Sequence, residues 1–345
     1  QGASHHAIAA NTNVQFLSHE VDCRRAAQCR MTSSFQPSAS PAEFQARIAA
    51  LWVFPIKSCA GISVQQAVLT PTGLTHDRAW MVVDSEGEMV TQRELPRMAL
   101  IQPELVEVNG RVSELVLHAH GMAALHLAVA AEATASPCQV RVWNDEVPAF
   151  DMGPAVAQWL TDFLGNSLGP LRLVRFDAKH QRLSSPQWTQ GESAFNQFSD
   201  GFPVLVASTA SLEELNTRLQ AKGEAVVDMR RFRANVVLGD SDAPHVLEVM
   251  PHDEDRIGTL TIYAQADGQR EFVQLKPVKP CPRCPIPNID PDSAQTHPAV
   301  NDALQAYRQD PRVNGALTFG MNCMPTAGVG HVLRVGQRVS ADWTF

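Results

Sequence analysis

The sequence predicts an α+β fold, rich in strands, with sheets closed into barrels and a few helices laid against them. Three observations carry this. Short apolar runs bounded by turn residues recur from Leu51 to the C-terminus. Two of them read as hairpins with tight turns. Helical patterning, with caps and a 3.6-residue apolar period, is confined to three stretches. At 345 residues and 44% hydrophobic, the chain is long enough for a full core and for more than one compact unit.

The elements follow in chain order. Residues 1 to about 47 are polar, rich in Ser, Ala, Gln and His, and without periodicity, so they are expected to be disordered. Met31 is a candidate start, with residues 1–30 an upstream extension. LWVFPIKS, from Leu51, is an apolar strand ending in a turn. AWMVVDSEGEMVTQ is a hairpin about Asp84-Ser85-Glu86-Gly87, and VSELVLHAHGMAALHLAV is another, turning at Gly121-Met122. His118 and His120 alternate with apolar residues there and belong on a solvated strand face. Pro154 to Gly165 is a helix, with proline in its first turn and glycine at its stop. A second helix follows Ser211, where Ser211-Leu212-Glu213-Glu214 has the form of a capping box and Leu212, Leu215 and Leu219 share a face. A third begins near His297. Strands return at HVLEVM, IGTLTIYA and VLRVGQRV. The domain division expected is 1–47 as extension, 48–170 as an N-terminal β-barrel-like domain and 171–345 as a second barrel domain, with the boundary falling within 165–178.

The formal net charge is -8, from 36 acids against 28 bases. That balance argues against nucleic acid or an anionic membrane as partner. No apolar run is long enough to span a bilayer, and the N-terminus lacks the pattern of a signal peptide, since Arg24-Arg25 is not followed by an apolar stretch. The seven cysteines are odd in number and scattered, which fits a reducing compartment. A cytoplasmic protein is expected.

Cys281 and Cys284 stand out, in KPCPRCPIP. Structural zinc needs about four ligands, and no second CxxC supplies them. A thioredoxin-type switch needs its first cysteine at a helix N-terminus, and Pro285 and Pro287 oppose a helix. Both stay open, and two further readings stand ahead of them on residue chemistry alone. One is a single thiolate, held stiffly by prolines, ligating a soft metal. The other is a pair of buried thiols in a rigid turn. Cys323 reads as a buried small hydrophobe, and Cys59 receives no role.

Four further stretches extend the pattern: FPIKSCAGISV with Lys57 and Ser58, LTHDRAWMVVD with Arg78, FSDGFPVLVASTASLEELNTRL with Asp200, and DMRRFRANVVL with Arg233 and Asn235. Singly, each charged residue has an ordinary surface alternative: Arg78 can pair Asp77 or Asp84, and Arg230, Arg231 and Arg233 can line a solvated edge. With VKPCPRCPIPNIDPDS, and in this order from Leu51 to the C-terminus, the five resemble the MOSC family with its N-terminal β-barrel domain, in the branch of the amidoxime-reducing components and their bacterial relatives. The resemblance implies the molybdenum cofactor, Mo-molybdopterin. It places the metal ligand at Cys284. Lys57, Ser58, Arg78, Arg233 and Asn235 would hold the pterin and its phosphate, with Arg283 beside the anionic ligand. Asp200 would be an acid near the metal, a proton shuttle, and Gly201 and Phe202 would offer backbone contacts. Lys and Arg suit a phosphate, and Asn suits a pterin edge. Pro282 departs from animal relatives, which carry a hydroxyl residue there; proline has neither hydroxyl nor N–H. The C-x4-C-x2-C spacing of a plant-type ferredoxin domain, which some bacterial relatives append, is missing after Cys323.

The function implied is a molybdenum-dependent reductase of N-hydroxylated compounds, such as amidoximes and hydroxylamines. Its electrons would come from a separate donor protein of ferredoxin, flavoprotein or cytochrome type. Two alternatives stand beside it: a sulfur carrier working through a persulfide on Cys281 or Cys284, and a cofactor-binding protein without catalysis.

Overall fold

In the computed structural model, residues 44–129, 136–241, 249–263 and 271–344 are described. Along the chain come β1 (Phe44–Val53), β2 (Ile62–Val64), β3 (Gln66–Thr70), β4 (Gly73–Leu74), β5 (Trp80–Val83), β6 (Gln102–Val108), β7 (Arg111–His118), β8 (Leu125–Ala128), β9 (Ser136–Val142), β10 (Asp145–Asp151), α1 (Pro154–Leu164) and β11 (Arg172–Phe176). Then follow β12 (Arg182–Leu183), α2 (Pro186–Thr189), β13 (Phe195–Asn196), β14 (Val204–Ser208), α3 (Thr209–Ala221), β15 (Val236–Gly239), β16 (Ile257–Tyr263), β17 (Phe272–Pro282), α4 (Ala299–Gln305), β18 (Gln309–Asp310), β19 (Ala316–Ala327), β20 (Val332–Arg334) and β21 (Arg338–Trp343).

Seven strands close a barrel in the order β14-β15-β1-β21-β16-β17-β19, with β19 pairing back to β14. Six of its strands come from the second half of the sequence, and β1 completes the ring between β15 and β21. The alternation of β1 explains its place. Phe44, Ala46 and Ile48 point inward, a bulge between Ile48 and Ala50 shifts the phase, and Leu51 and Val53 resume. They meet Val206, Val236, Leu260, Leu275 and Val339 in the barrel core.

A second sheet, β5-β11-β10-β9, and a three-stranded sheet, β6-β7-β8, complete the part of the fold that positions the site. All four residues of β5 are buried. Trp80 and Val82 pack toward α1 and β7, and Met81 and Val83 toward β9–β11 and Phe198. A strand buried on both faces reads as a continuous apolar run, as WMVV does. Outside the barrel, Leu215 and Leu219 of α3 and Val300 and Leu304 of α4 pack around Phe232 and Phe319, whose rings stack 3.8 Å apart.

Several expectations change. Disorder through residue 47 is overturned at its end: Phe44–Arg47 pair with Ala341–Arg338, because two of these four side chains fill the barrel. The rest of that stretch lies outside the described residues. The helix near Ser211 starts at Thr209, capped by Ser208, whose hydroxyl accepts the Ser211 N–H at 3.1 Å. The Ser211 hydroxyl instead donates to Glu254 Oε1 at 2.7 Å. The helix near His297 begins at Ala299. Of HVLEVM, residues 245–248 lie outside the described residues. Pro154 and Gly165 bound α1 as expected, with Gly165 in the left-handed region at φ 88°. His118 sits on an exposed strand position, 2.9 Å from Glu104 Oε2. Among the described residues no helix is long and apolar enough to cross a membrane.

Candidate functional site

The site begins where β1 ends. Phe54-Pro55-Ile56 runs alongside β5, through a parallel bridge from Ile56 to Trp80, and the Lys57 N–H donates to the Trp80 carbonyl at 2.8 Å. The chain then turns at Ser58, which has φ 65°. A non-glycine residue in that region costs on the order of 1 kcal/mol and needs support from its surroundings. Gln92 supplies it, donating from Nε2 to the Ser58 carbonyl at 2.7 Å. The turn buries the Lys57 ammonium, which donates to the Phe198 carbonyl at 2.9 Å and to Asp200 Oδ1 at 2.5 Å. Burial lowers the Lys57 pKa, against the opposing pull of Asp200.

Two more candidate residues share this backbone conformation: Arg78 at φ 49° and Arg233 at φ 57°. Arg78 is held by buried Asp77, whose Oδ2 accepts from Arg78 Nη1 at 2.6 Å and whose Oδ1 accepts the Phe54 N–H at 2.8 Å. Arg233 ends a short 3-10 helix, Met229–Phe232, capped by Asp228. Arg78 Nη2 donates to the Arg233 carbonyl at 3.0 Å. Both guanidinium groups lie over the Phe54 ring, 4.4 Å and 4.3 Å from its centre. Gly61 makes room for that ring, since a Cβ there would come within 2.4 Å of it. Arg233 Nη1 donates to the Cys59 carbonyl, and Nη2 is buried with no hydrogen-bond partner. Burial, with the neighbouring Arg78 charge, pushes the Arg233 guanidinium down to about 9. Two like charges around one ring, with a buried donor left over, make a place that favours an anion.

Asp200 follows β13 on a loop and is 78% exposed at its side chain. Its Oδ1 also accepts the Trp143 Nε1–H at 3.2 Å. Desolvation opposes ionisation, but Lys57, then Arg78, hold the carboxyl well below the usual range. The loop is fixed by buried Arg182. Its Nε donates to Asp145 Oδ2 at 2.7 Å, and its Nη1 to Asn196 Oδ1 and to the carbonyls of Gln197 and Ser199 at 2.6–2.8 Å.

Cys281 lies near the end of β17 and Cys284 in the turn beyond it. The prolines of KPCPRCP are tolerated because β17 bulges between Pro277 and Lys279 and between Pro280 and Pro282. After Cys284 the chain forms only a three-residue 3-10 turn, Ile286–Asn288, as Pro285 and Pro287 require. Both thiols are half-buried and free. Arg283 donates from Nη1 to Cys281 Sγ at 3.0 Å and from Nη2 to the Phe232 carbonyl at 2.9 Å. Among the described residues no three His, Cys, Asp or Glu side chains gather around a metal position.

The structure therefore links Lys57, Asp200, Arg78, Arg233 and Arg283 in one network. It runs from Asp200 through Lys57 to the Ser58 turn and Cys59, on to Arg233 and Phe232, and then to Arg283 beside the cysteines. Asn235 is used differently. It is buried, with Oδ1 accepting the Leu205 N–H and Nδ2 donating to the Trp52 carbonyl, so its amide serves the barrel backbone. Phe202 is buried, and the Gly201 carbonyl accepts from Asn196 Nδ2 at 3.4 Å. A cleft of about 400 Å³ adjoins the network, lined by Trp52, Phe54, Gln92, Arg233, Ile286 and Asp292 among others. Phe54, Trp143 and Arg182 are neighbours of the candidate residues that the sequence did not single out. Phe54 sits inside a quoted motif, whereas Trp143 and Arg182 touch Asp200 or its loop only across long sequence separations.

Comparison with known proteins finds two family matches and several relatives. The profile of the MOSC N-terminal beta barrel domain matches residues 45–167, and that of the MOSC domain matches 195–340. Mitochondrial amidoxime-reducing component 1 of Homo sapiens is 35% identical over 76% of this chain and 72% of its own. Mitochondrial amidoxime reducing component 2 of Rattus norvegicus is 32% identical over 77% and 74%. Molybdenum cofactor sulfurase of Homo sapiens is 29% identical over 79% of this chain but only 29% of its own length.

Proposed function

The chain belongs to the MOSC family, and from that membership we propose a molybdenum-cofactor-dependent oxidoreductase that reduces N-hydroxylated compounds such as amidoximes and hydroxylamines. The observation that carries this reading is Arg233, a half-buried cation beside a second cation, with its buried Nη2 unpartnered and the cleft next to it. A cofactor ending in a phosphate supplies the anion such a place lacks, and the residues present fit it. Lys57, Ser58, Arg78, Arg233 and Arg283 would hold the cofactor and Cys284 would ligate its metal. Asn235 would contribute by keeping β1, β14 and β15 in register, and Gly201 and Phe202 by shaping the Asp200 loop.

When bound, the cofactor supplies the two-electron chemistry that, with two protons, turns N–OH into N–H and water. The chain's own residues bind, orient and carry protons. Asp200 stays ionised, so it accepts a substrate N–H rather than donating a proton directly. Lys57 holds a proton at Nζ that burial makes easier to release, 2.5 Å from Asp200 Oδ1. The pair thus keeps a releasable ammonium proton one hydrogen bond behind an exposed carboxylate. Electrons come from a separate donor protein in this reading. Cytoplasmic location is part of the same proposal; because two of the relatives are named mitochondrial, cell fractionation decides between the compartments.

The test is metal analysis by plasma mass spectrometry on protein expressed with ample molybdenum. Near-stoichiometric molybdenum in wild type, lost in Cys284→Ala, is expected, followed by turnover of an amidoxime under a strong artificial electron donor. Zinc, or no metal, in the wild type would sink the reading. Sulfur transfer is a second reading, favoured by the half-buried, free Cys281, whose Sγ accepts from Arg283 Nη1 at 3.0 Å. A persulfide on Cys281 in the intact protein's mass spectrum would turn the choice toward it.

A further inference from the structure

Trp143 occupies the tip between β9 and β10 in the left-handed region, at φ 55°. It is 42% exposed, unusual for so large an apolar surface, yet it is anchored. Its indole edge donates to Asp200 Oδ1 at 3.2 Å. The Arg93 guanidinium lies 4.6 Å from the ring centre and Lys57 Nζ 5.9 Å. Two residues on, Asp145 accepts from Arg182, the same buried cation that holds the Gln197 and Ser199 carbonyls just before Asp200. The ring and the carboxylate are therefore fixed relative to each other. Asp200 Oδ1 is occupied, while Oδ2 accepts no hydrogen bond from the described residues.

A flat, immobilised aromatic wall beside an ionised carboxylate oxygen is a site for a planar group with an N–H on its edge. Resting on the reductase reading above, we propose that Trp143 is the specificity residue of this site. Its indole takes the face of a conjugated N-hydroxyamidine head, and Asp200 Oδ2 accepts that head's N–H. An N-hydroxyamidine is flat across its carbon and two nitrogens and can stack. A saturated N-hydroxy amine is pyramidal at nitrogen and cannot. One part of the ring already carries a planar group of this kind, the guanidinium of Arg93, and the head would take the part left exposed. Trp143 thus selects conjugated over saturated N-hydroxy compounds without taking part in bond breaking.

The experiment is calorimetric titration of the cofactor-loaded protein, with no electron donor present, using benzamidoxime and N-hydroxypiperidine as probes. Trp143→Ala is expected to weaken benzamidoxime about ten-fold, the scale of one aromatic stack, and N-hydroxypiperidine less than about two-fold. Trp143→Phe keeps an aromatic face and should stay within about three-fold of wild type for benzamidoxime. Unchanged benzamidoxime binding in Trp143→Ala, equal loss of both probes, or no benzamidoxime binding to wild type would each overturn the assignment. Turnover under an artificial donor is measured separately on the same wild-type sample. Its absence alongside Trp143-dependent binding would count against the reductase reading and not against this recognition site.

Discussion

Arg182 and Arg233 are both arginines drawn out of water around the same network, and they are treated in opposite ways. Arg182 faces a carboxylate and three further oxygens, and through them it fixes the hairpin tip and the Asp200 loop. Arg233 faces another arginine, forms no ion pair among the described residues, and keeps a buried nitrogen without a partner. A buried cation matched by oxygens is scaffold, because removing it strands several buried acceptors. A half-buried cation with a buried nitrogen left unmatched costs free energy, and an anion placed beside it would offset that cost.

The comparison can be broken at three points. The largest effect belongs to Arg182→Met, which should lower stability by about 3 kcal/mol or more in urea unfolding, because Asp145, Asn196 and two carbonyls lose their shared donor. A loss under about 1 kcal/mol would mean that Arg182 is no scaffold.

Next comes a buried acid that solves the same problem by staying neutral. Glu254 accepts from the Ser208 and Ser211 hydroxyls at 2.9 Å and 2.7 Å, and burial raises its pKa to about 7. An unfolded chain releases this proton near pH 4.3, so the native state holds more protons between there and pH 7. Its contribution therefore falls by ~3 kcal/mol as pH rises through that window and is flat above it. His252, pushed down to about 4 by burial, titrates in the opposite sense, so the informative quantity is wild type minus Glu254→Gln. That difference should decline from pH 5 to 7 in urea midpoints; a constant difference would show that Glu254 is ionised throughout.

The smallest effect on stability is expected at Arg233. Replacing it with Met keeps contact with Phe54 and removes an uncompensated charge, so the unfolding free energy of the cofactor-free protein should move by no more than about 1 kcal/mol. Molybdenum content should nevertheless fall. A stability loss as large as that of Arg182→Met would erase the distinction between the two arginines.

What the sequence made legible follows from range. The helices could be read because their caps and apolar faces are local: Pro154 and Gly165 around α1, and Leu215 and Leu219 on α3. The choice between Ser208 and Ser211 as cap was missed because it depends on Glu254, some forty residues away. The candidate site was legible as an ordered set of motifs, and the structure links Lys57, Arg78, Arg233, Asp200 and Arg283. Asn235 looked the same in sequence, yet its amide is used by the backbone of the strands on either side. Phe54, Trp143 and Arg182 were invisible for a related reason: an aromatic just past a strand, a tryptophan at a turn and an arginine in a two-residue strand carry no local mark of the groups they will meet.

The placement of β1 bears on how the molecule reaches its fold. A ring whose missing stave lies at one end of the described chain, paired to β21 at the other, cannot shut until nearly all of that chain is available. Its contacts are as non-local as the topology permits, and such pairings form slowly. While they wait, β15 and β21 each present an open edge, the kind of surface that recruits a neighbouring molecule. A fragment holding only residues 195–344 would keep those edges permanently open. The β1 segment thus covers both edges as it closes the barrel, and supplying it as a separate peptide should restore solubility to such a fragment.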